Sequence, residues 1–192
     1  MTIAYDYATG LYLNITNRCP CNCSFCVRRH SISLGGLWLP REPALEEIEA
    51  AIPMDFSQYD EVVFCGYGEP CERLEALLYT SSLIKERTDL PIRLNTNGLS
   101  DLINGKRTAP LLAAGFDRIS ISLNAPDAET YYALCNPSFG KDSFNEVIRF
   151  ALECMDYFDH VTCSVVRHAL TESQLAKCVR LCERLGLRLR IR

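Results

Sequence analysis

Short apolar runs recur along the chain, separated by stretches with helical spacing. Runs at Leu11–Thr16, Glu61–Gly66, Ile92–Asn97, Arg118–Asn124, Val161–Val166 and Leu187–Arg192 predict strands. Between them, Pro43 is placed to open a helix that carries Leu45, Ile48 and Ile52 on one face. A second helical pattern runs from about Cys71 to Arg87 and aligns Leu74, Leu77, Leu78 and Ser81. Ser143 and Glu146 read as a capping box ahead of Val147, Phe150 and Ala151, and Thr171 and Gln174 as another ahead of Leu175. Strand–helix alternation of this kind predicts an α/β fold built on a parallel sheet or barrel.

The strand faces add a constraint. Ile119, Ile121 and Leu123 share one face, and Ser120, Ser122 and Asn124 the other. Ile92, Leu94 and Thr96 oppose Arg93, Asn95 and Asn97; Leu187, Leu189 and Ile191 oppose Arg188, Arg190 and Arg192. Parallel strands are ordinarily buried on both faces and read as continuous apolar runs. Here one face is repeatedly polar. If helices cover the apolar face, the polar face must line something wet or hold a polar ligand; the alternative is solvent-exposed strands, and the terminal arginine-bearing strand reads equally well as an exposed edge.

The chain has 192 residues, 48% apolar and 23% charged, which suits one globular domain with a sizeable core. We see no low-complexity tract, repeat or linker, so residues 1–192 are read as a single domain. A net charge of -4 argues against a nucleic-acid surface. The start, MTIAYDYATG, has neither a basic nor an apolar signal region, and no run is apolar enough for long enough to span a bilayer; the expected location is the cytoplasm, with no membrane partner. The cysteine count is 11, which is high and odd. Without a secretory signal, reduced thiols and a metal site fit better than a disulfide scaffold.

The thiols concentrate in LNITNRCPCNCSFCVRR. Cys19, Cys23 and Cys26 are spaced C-x3-C-x2-C, with Cys21 as an extra thiol inside. A short loop of this kind can wrap three thiolates around a soft metal centre. Three ligands leave one coordination position open, which suggests chemistry rather than a structural plug. Two other classes stay open on the residues alone. One is a zinc-binding module, although Cys65 and Cys71 are badly spaced to complete its ligand set. The other is a non-catalytic iron–sulfur protein for electron transfer or sensing.

This loop, residues 17–30, resembles the Cys-x3-Cys-x-aromatic-Cys signature of the radical S-adenosylmethionine (SAM) enzymes, with Phe25 in the aromatic place. CGYGEP (Cys65–Pro70) resembles the family's Gly-Gly-Glu-Pro-like motif, and NTNG (Asn95–Gly98) and SLNA (Ser122–Ala125) end the next two strands. The run of NITNRC, EVVFCGYGEP, RLNTNG and SISLNAPDAETY is most similar to the TatD family-associated radical SAM proteins. The resemblance implies a partial (β/α)6 TIM-like barrel open on one side. It implies a [4Fe-4S] cluster on Cys19, Cys23 and Cys26 whose fourth iron takes the amino and carboxylate groups of SAM. Reductive cleavage of SAM then gives methionine and a 5′-deoxyadenosyl radical that abstracts hydrogen from a substrate. The implied cofactor contacts are Phe25, Gly66, Tyr67, Gly68, Glu69, Pro70, Asn95, Ser122, Asn124 and Arg192. Gly66 and Gly68 are expected to let backbone approach the ligand. Arg190 and Arg192, if inward, favour an anionic group on SAM or the substrate. The implied partners are a small-molecule or peptide substrate, an electron donor such as flavodoxin or ferredoxin, and a functional link to a TatD-type hydrolase.

The remaining thiols read differently. Cys178 and Cys182, Cys154 and Cys135 each continue a helical apolar stripe and are expected to pack as small apolar groups. Cys21 is either a spectator or a reactive thiol. Cys71 is a candidate to face the site, Asn97 to brace the NTNG turn, and Arg28 and Arg29 read as a solvated pair. His30 and His168 have no partner legible in the sequence.

Overall fold

The computed structural model describes residues 1–30 and 36–192, without the side chain of His30. The expectation for His30 therefore lies outside the described residues. One sheet runs through the molecule in chain order: β1 (Ala4–Tyr7), β2 (Gly10–Leu13), β3 (Glu61–Phe64), β4 (Ile92–Thr96), β5 (Arg118–Ser122), β6 (His160–Val165) and β7 (Arg188–Ile191). β1 and β2 are antiparallel, and every later neighbouring pair is parallel. Helices fill the crossovers: α1 (Val27–His30), α2 (Leu45–Ala51), α3 (Leu74–Arg87), α4 (Ser100–Asn104), α5 (Ala109–Gly115), α6 (Ala128–Cys135), α7 (Ser143–Cys154) and α8 (Glu172–Leu185).

The six parallel strands β2–β7 form the expected partial (β/α)6 barrel. Tyr5 of β1 and Arg190 of β7 line one cavity although they sit on opposite edge strands, so the sheet curls without closing. Between sheet and helices lies the core. Leu13, Phe64, Leu94, Ile121 and Cys163 point into it from successive strands and are fully buried. Phe64 meets Phe116, which follows α5, edge to face at 5.1 Å.

Several expectations need correction. β1 was not anticipated; its residues are half-buried to exposed, and AYDY carries no apolar run. The strands also end earlier than the apolar runs suggest, so the motif residues fall just beyond strand ends. The pattern from Cys71 to Arg87 divides into a 3-10 turn, Pro70–Arg73, followed by α3. Ser143 does not cap α7: its hydroxyl donates to Gly140 O at 2.7 Å, and Asp142 takes the cap position without a side-chain bond.

The second box is formed. Gln174 N donates to Thr171 Oγ1 at 3.2 Å, and Thr171 N donates to Gln174 Oε1 at 2.9 Å. The helix it starts, α8, buries Leu175, Cys178 and Cys182 as anticipated. Thr171→Ala is expected to cost about 1 kcal/mol of stability, read as a lower urea midpoint at unchanged slope.

Candidate functional site

The C-terminal ends of the strands open into a cavity of about 580 Å³. Ligand sites of parallel α/β folds lie at this end. Asn95, Ser122, Arg190 and Arg192 line the cavity from the polar strand face, so that face does line a pocket.

The cysteine loop forms one wall. Main-chain bonds stitch it to the end of α6: Asn22 N donates to Cys135 O at 3.0 Å, Ser24 N to Leu134 O at 2.9 Å, and Ser138 N to Pro20 O at 2.8 Å. Arg28 is no solvated residue. Its Nη1 donates to Asn17 O at 3.2 Å, its Nη2 to Cys21 O at 3.3 Å and its Nε to Cys26 Sγ at 3.4 Å, so it clamps the loop from both ends. Arg29 instead pairs outward with Asn22.

Cys19, Cys21, Cys23, Phe25 and Cys26 all line the cavity. Their thiols divide into donors and acceptors. A hydrogen bond from Cys135, and a second from Cys21, pull the Cys23 thiol down to about 4. A hydrogen bond from Cys21 likewise lowers Cys19. Cys21 and Cys135 are pushed up by the same contacts and keep their protons. Cys135 therefore does more than pack: it is buried, as expected, but its thiol faces Cys23. Helical spacing revealed its burial but not its neighbour. Asn97 Nδ2 adds a donor 4.0 Å from Cys19 Sγ and 3.9 Å from Cys21 Sγ. Its Oδ1 accepts from Leu99 N at 2.8 Å, the anticipated brace of the turn.

The GYGEP turn forms the second wall, but its glycines approach the protein's own chain. A Cβ on Gly66 would stand 2.0 Å from Asn14 Oδ1, and one on Gly68 2.3 Å from Thr16 O. Tyr67 N donates to Asn14 Oδ1 at 3.3 Å, and Glu69 N to Arg18 O at 2.8 Å. The Glu69 carboxylate accepts from Asn97 N at 2.6 Å, Thr96 Oγ1 at 2.8 Å and Cys71 N at 3.1 Å. It ties the end of β3 to the end of β4, and burial raises its pKa. Pro70 opens the 3-10 turn, is buried, and does not line the cavity. Cys71 is buried behind the turn beside Thr96 Oγ1 and does not face the site.

The third wall holds the ends of β4, β5 and β7. Asn95 Oδ1 accepts from Arg93 Nη1 at 2.7 Å. Asn124 follows β5 with φ +57° and is 6% exposed. Its Nδ2 reaches Cys135 Sγ at 3.8 Å, whereas its Oδ1 is buried with no partner among the described residues. An orphaned buried acceptor is costly, so this atom is set to receive a donor from a bound molecule. Arg192 Nη2 lies 3.5 Å from Ser122 Oγ.

This donor set fits an iron–sulfur cluster with an open position. Depressed thiols are the form that ligates iron. Among the described residues no three His, Cys, Asp or Glu gather around a point that would hold a single ion. Also among the described residues, no helix is long and apolar enough to cross a membrane.

Known proteins place the chain. Residues 13–182 match the Radical SAM superfamily. GTP 3′,8-cyclase of Corynebacterium glutamicum (strain R) is 33% identical over 138 residues, covering 66% of this chain and 34% of that protein. GTP 3′,8-cyclase of Paenarthrobacter nicotinovorans is 29% identical over 136 residues, covering 69% and 36%. The chain thus spans about a third of the length of these relatives. In fold it is similar to a radical SAM methyltransferase from Sphaerobacter thermophilus, with TM-score 0.68 at 19% identity, covering 98% of this chain and 57% of that one. Streptococcus suis SuiB bound to S-adenosylmethionine is also similar, with TM-score 0.64 at 17% identity, covering 94% and 37%. With its cysteine loop and open parallel sheet, the chain belongs to the radical SAM superfamily.

Proposed function

We propose that the chain is the catalytic core of a radical SAM enzyme, with Cys19, Cys23 and Cys26 as the ligands of a [4Fe-4S] cluster. The observation that carries this reading is that all three thiols line one cavity with Gly66, Gly68, Asn95 and Ser122 at the strand ends. When bound, the cluster and SAM supply reductive C–S cleavage, giving methionine and a 5′-deoxyadenosyl radical that takes hydrogen from the substrate.

The protein's own part is to hold and to exclude. Arg28 fixes the loop and places a positive charge beside Cys26. Cys21 and Cys135 remain protonated donors to Cys19 and Cys23, the kind of outer hydrogen bond that tunes cluster potential. Gly66, Tyr67 and Gly68 would offer main-chain carbonyls to the SAM amino group, since the Tyr67 and Glu69 amides are committed to Asn14 and Arg18. Glu69 and Pro70 hold that turn in shape. Asn95, Ser122 and Asn124 are assigned to SAM's polar groups and Phe25 to its apolar surface. Arg192 is assigned to an anion.

The substrate is a small molecule or a peptide; GTP 3′,8-cyclase and SuiB bound to a precursor peptide stand for these two possibilities among similar proteins. The reducing electron comes from a flavodoxin or ferredoxin, and the sequence pattern favours the TatD-associated group and a cytoplasmic setting. The test uses anaerobically reconstituted protein, dithionite and SAM, with 5′-deoxyadenosine followed by chromatography. Its formation supports the reading. A loaded cluster that neither binds nor cleaves SAM refutes it in favour of electron transfer.

A further inference from the structure

The cavity is lined from β7 as well as from the cysteine loop. Arg190 and Arg192 leave β7 on the same face and both line the cavity. Their polar partners are hydroxyls: Ser120 Oγ at 3.3 Å and Ser122 Oγ at 3.5 Å. Among the described residues no carboxylate pairs with either guanidinium. Arg93, on the same wall, shows the contrast. Glu61 grips it in a fork at 3.1 and 2.6 Å, and Tyr12 OH lies 3.3 Å away. Among the described residues the one acidic side chain lining the cavity is Glu69, and its carboxylate is already occupied by three donors.

Two like charges side by side without a counter-charge repel each other. Both side chains remain exposed to solvent; partial desolvation, then Arg190, lowers the pKa of Arg192. An anion bound between the two groups removes that repulsion, and guanidinium forks are matched to carboxylate and phosphate oxygens. The cavity also has an aromatic wall. Tyr12 packs against Tyr5 at 5.5 Å and against Tyr7 at 5.3 Å, and all three tyrosines line the cavity.

We propose that Arg190 and Arg192 form a subsite for an anionic group of the substrate, a phosphate or a carboxylate, whose body lies along Tyr5, Tyr7 and Tyr12 and points toward the cysteine loop. The role of the subsite in catalysis rests on the radical SAM reading; anion binding itself does not.

The probes are phenyl phosphate and phenylacetate, titrated calorimetrically into cluster-loaded protein with and without saturating SAM. The expected result is binding of at least one probe, undiminished by SAM, and weakened about tenfold or more in Arg190→Gln/Arg192→Gln, as for a loss of roughly 1.4 kcal/mol. Arg190→Lys/Arg192→Lys keeps the charge and is expected to restore part of the affinity. Phenyl phosphate alone binding assigns a phosphate substrate, and phenylacetate alone a carboxylate. Displacement of the probe by SAM overturns the proposal and moves the arginines to the methionyl carboxylate. Failure of both probes, or equal affinity in a Gln variant that melts like the parent, also overturns it. Probe binding by protein that takes up no SAM upholds the subsite and refutes the radical SAM reading, so the two failures are distinguishable.

Discussion

Cys23→Ala is expected to abolish both cluster loading and SAM cleavage, while Cys182→Ala spares both. Cys23 lines the cavity, and its thiol is held down to about 4 by hydrogen bonds from Cys135 and Cys21, so it is ready to ligate at neutral pH. Cys21 is the extra thiol of the loop and Cys135 comes from α6, so neither has the spacing of the Cys19, Cys23 and Cys26 set. Cys182 is 1% exposed on the inner face of α8, where it meets Cys163. Its loss should cost only about 1 kcal/mol, the scale of a small buried group. Iron and sulfide content, the visible absorbance of reconstituted protein, and 5′-deoxyadenosine yield would be measured on both variants. Normal cluster content in Cys23→Ala, or an empty but folded Cys182→Ala, would sink the ligand assignment.

Gly68→Ala is expected to damage stability and the site together. A Cβ there would meet Thr16 O at 2.3 Å, Arg18 O at 2.6 Å and Thr16 C at 2.8 Å. All three atoms are backbone, so no side chain can swing aside. Either the turn or the entry to the cysteine loop must move, and the bond from Glu69 N to Arg18 O at 2.8 Å is the first to go. Overpacking of this kind costs about 1–3 kcal/mol, with the lost hydrogen bond on top. Cys19 follows Arg18 directly, so iron content should fall with stability. A variant with the parental urea midpoint would show that the contact can relax.

The sequence carried the parallel sheet because β2–β6 each combine an apolar run with a following helix pattern and β7 adds a further apolar run after α8. It hid β1 because Tyr5, Asp6 and Tyr7 lie on a partly exposed edge and need no apolar alternation. Ser143 and Glu146 mimic a cap, yet the local turn at Gly140 claims the Ser143 hydroxyl. The cavity lining was legible where the motifs are local: the cysteine spacing, the GYGEP turn and the strand-end asparagines all contribute to it. It was illegible where partners come from distant chain. Helical spacing marks Cys135 as buried but cannot say that Cys23 lies beside it. Composition makes Arg28 a surface residue, whereas the folded loop turns it inward onto three acceptors. The glycines are points of close approach to Asn14 and Thr16 of the protein's own chain, partners that no local motif names.

The β1–β2 hairpin also bears on how the chain folds. Tyr7 pairs with Gly10, so the two strands are joined by the shortest of links. Such a hairpin can close within about 1–10 μs. Every other neighbouring pair is parallel and must first close a crossover loop, at a cost in chain entropy. The hairpin is thus a ready edge onto which β3 can dock once its crossover is made. The cavity-lining tyrosines, Tyr5, Tyr7 and Tyr12, all sit on that hairpin, whereas Arg190 and Arg192, which line the same cavity, belong to the opposite edge of the sheet at β7.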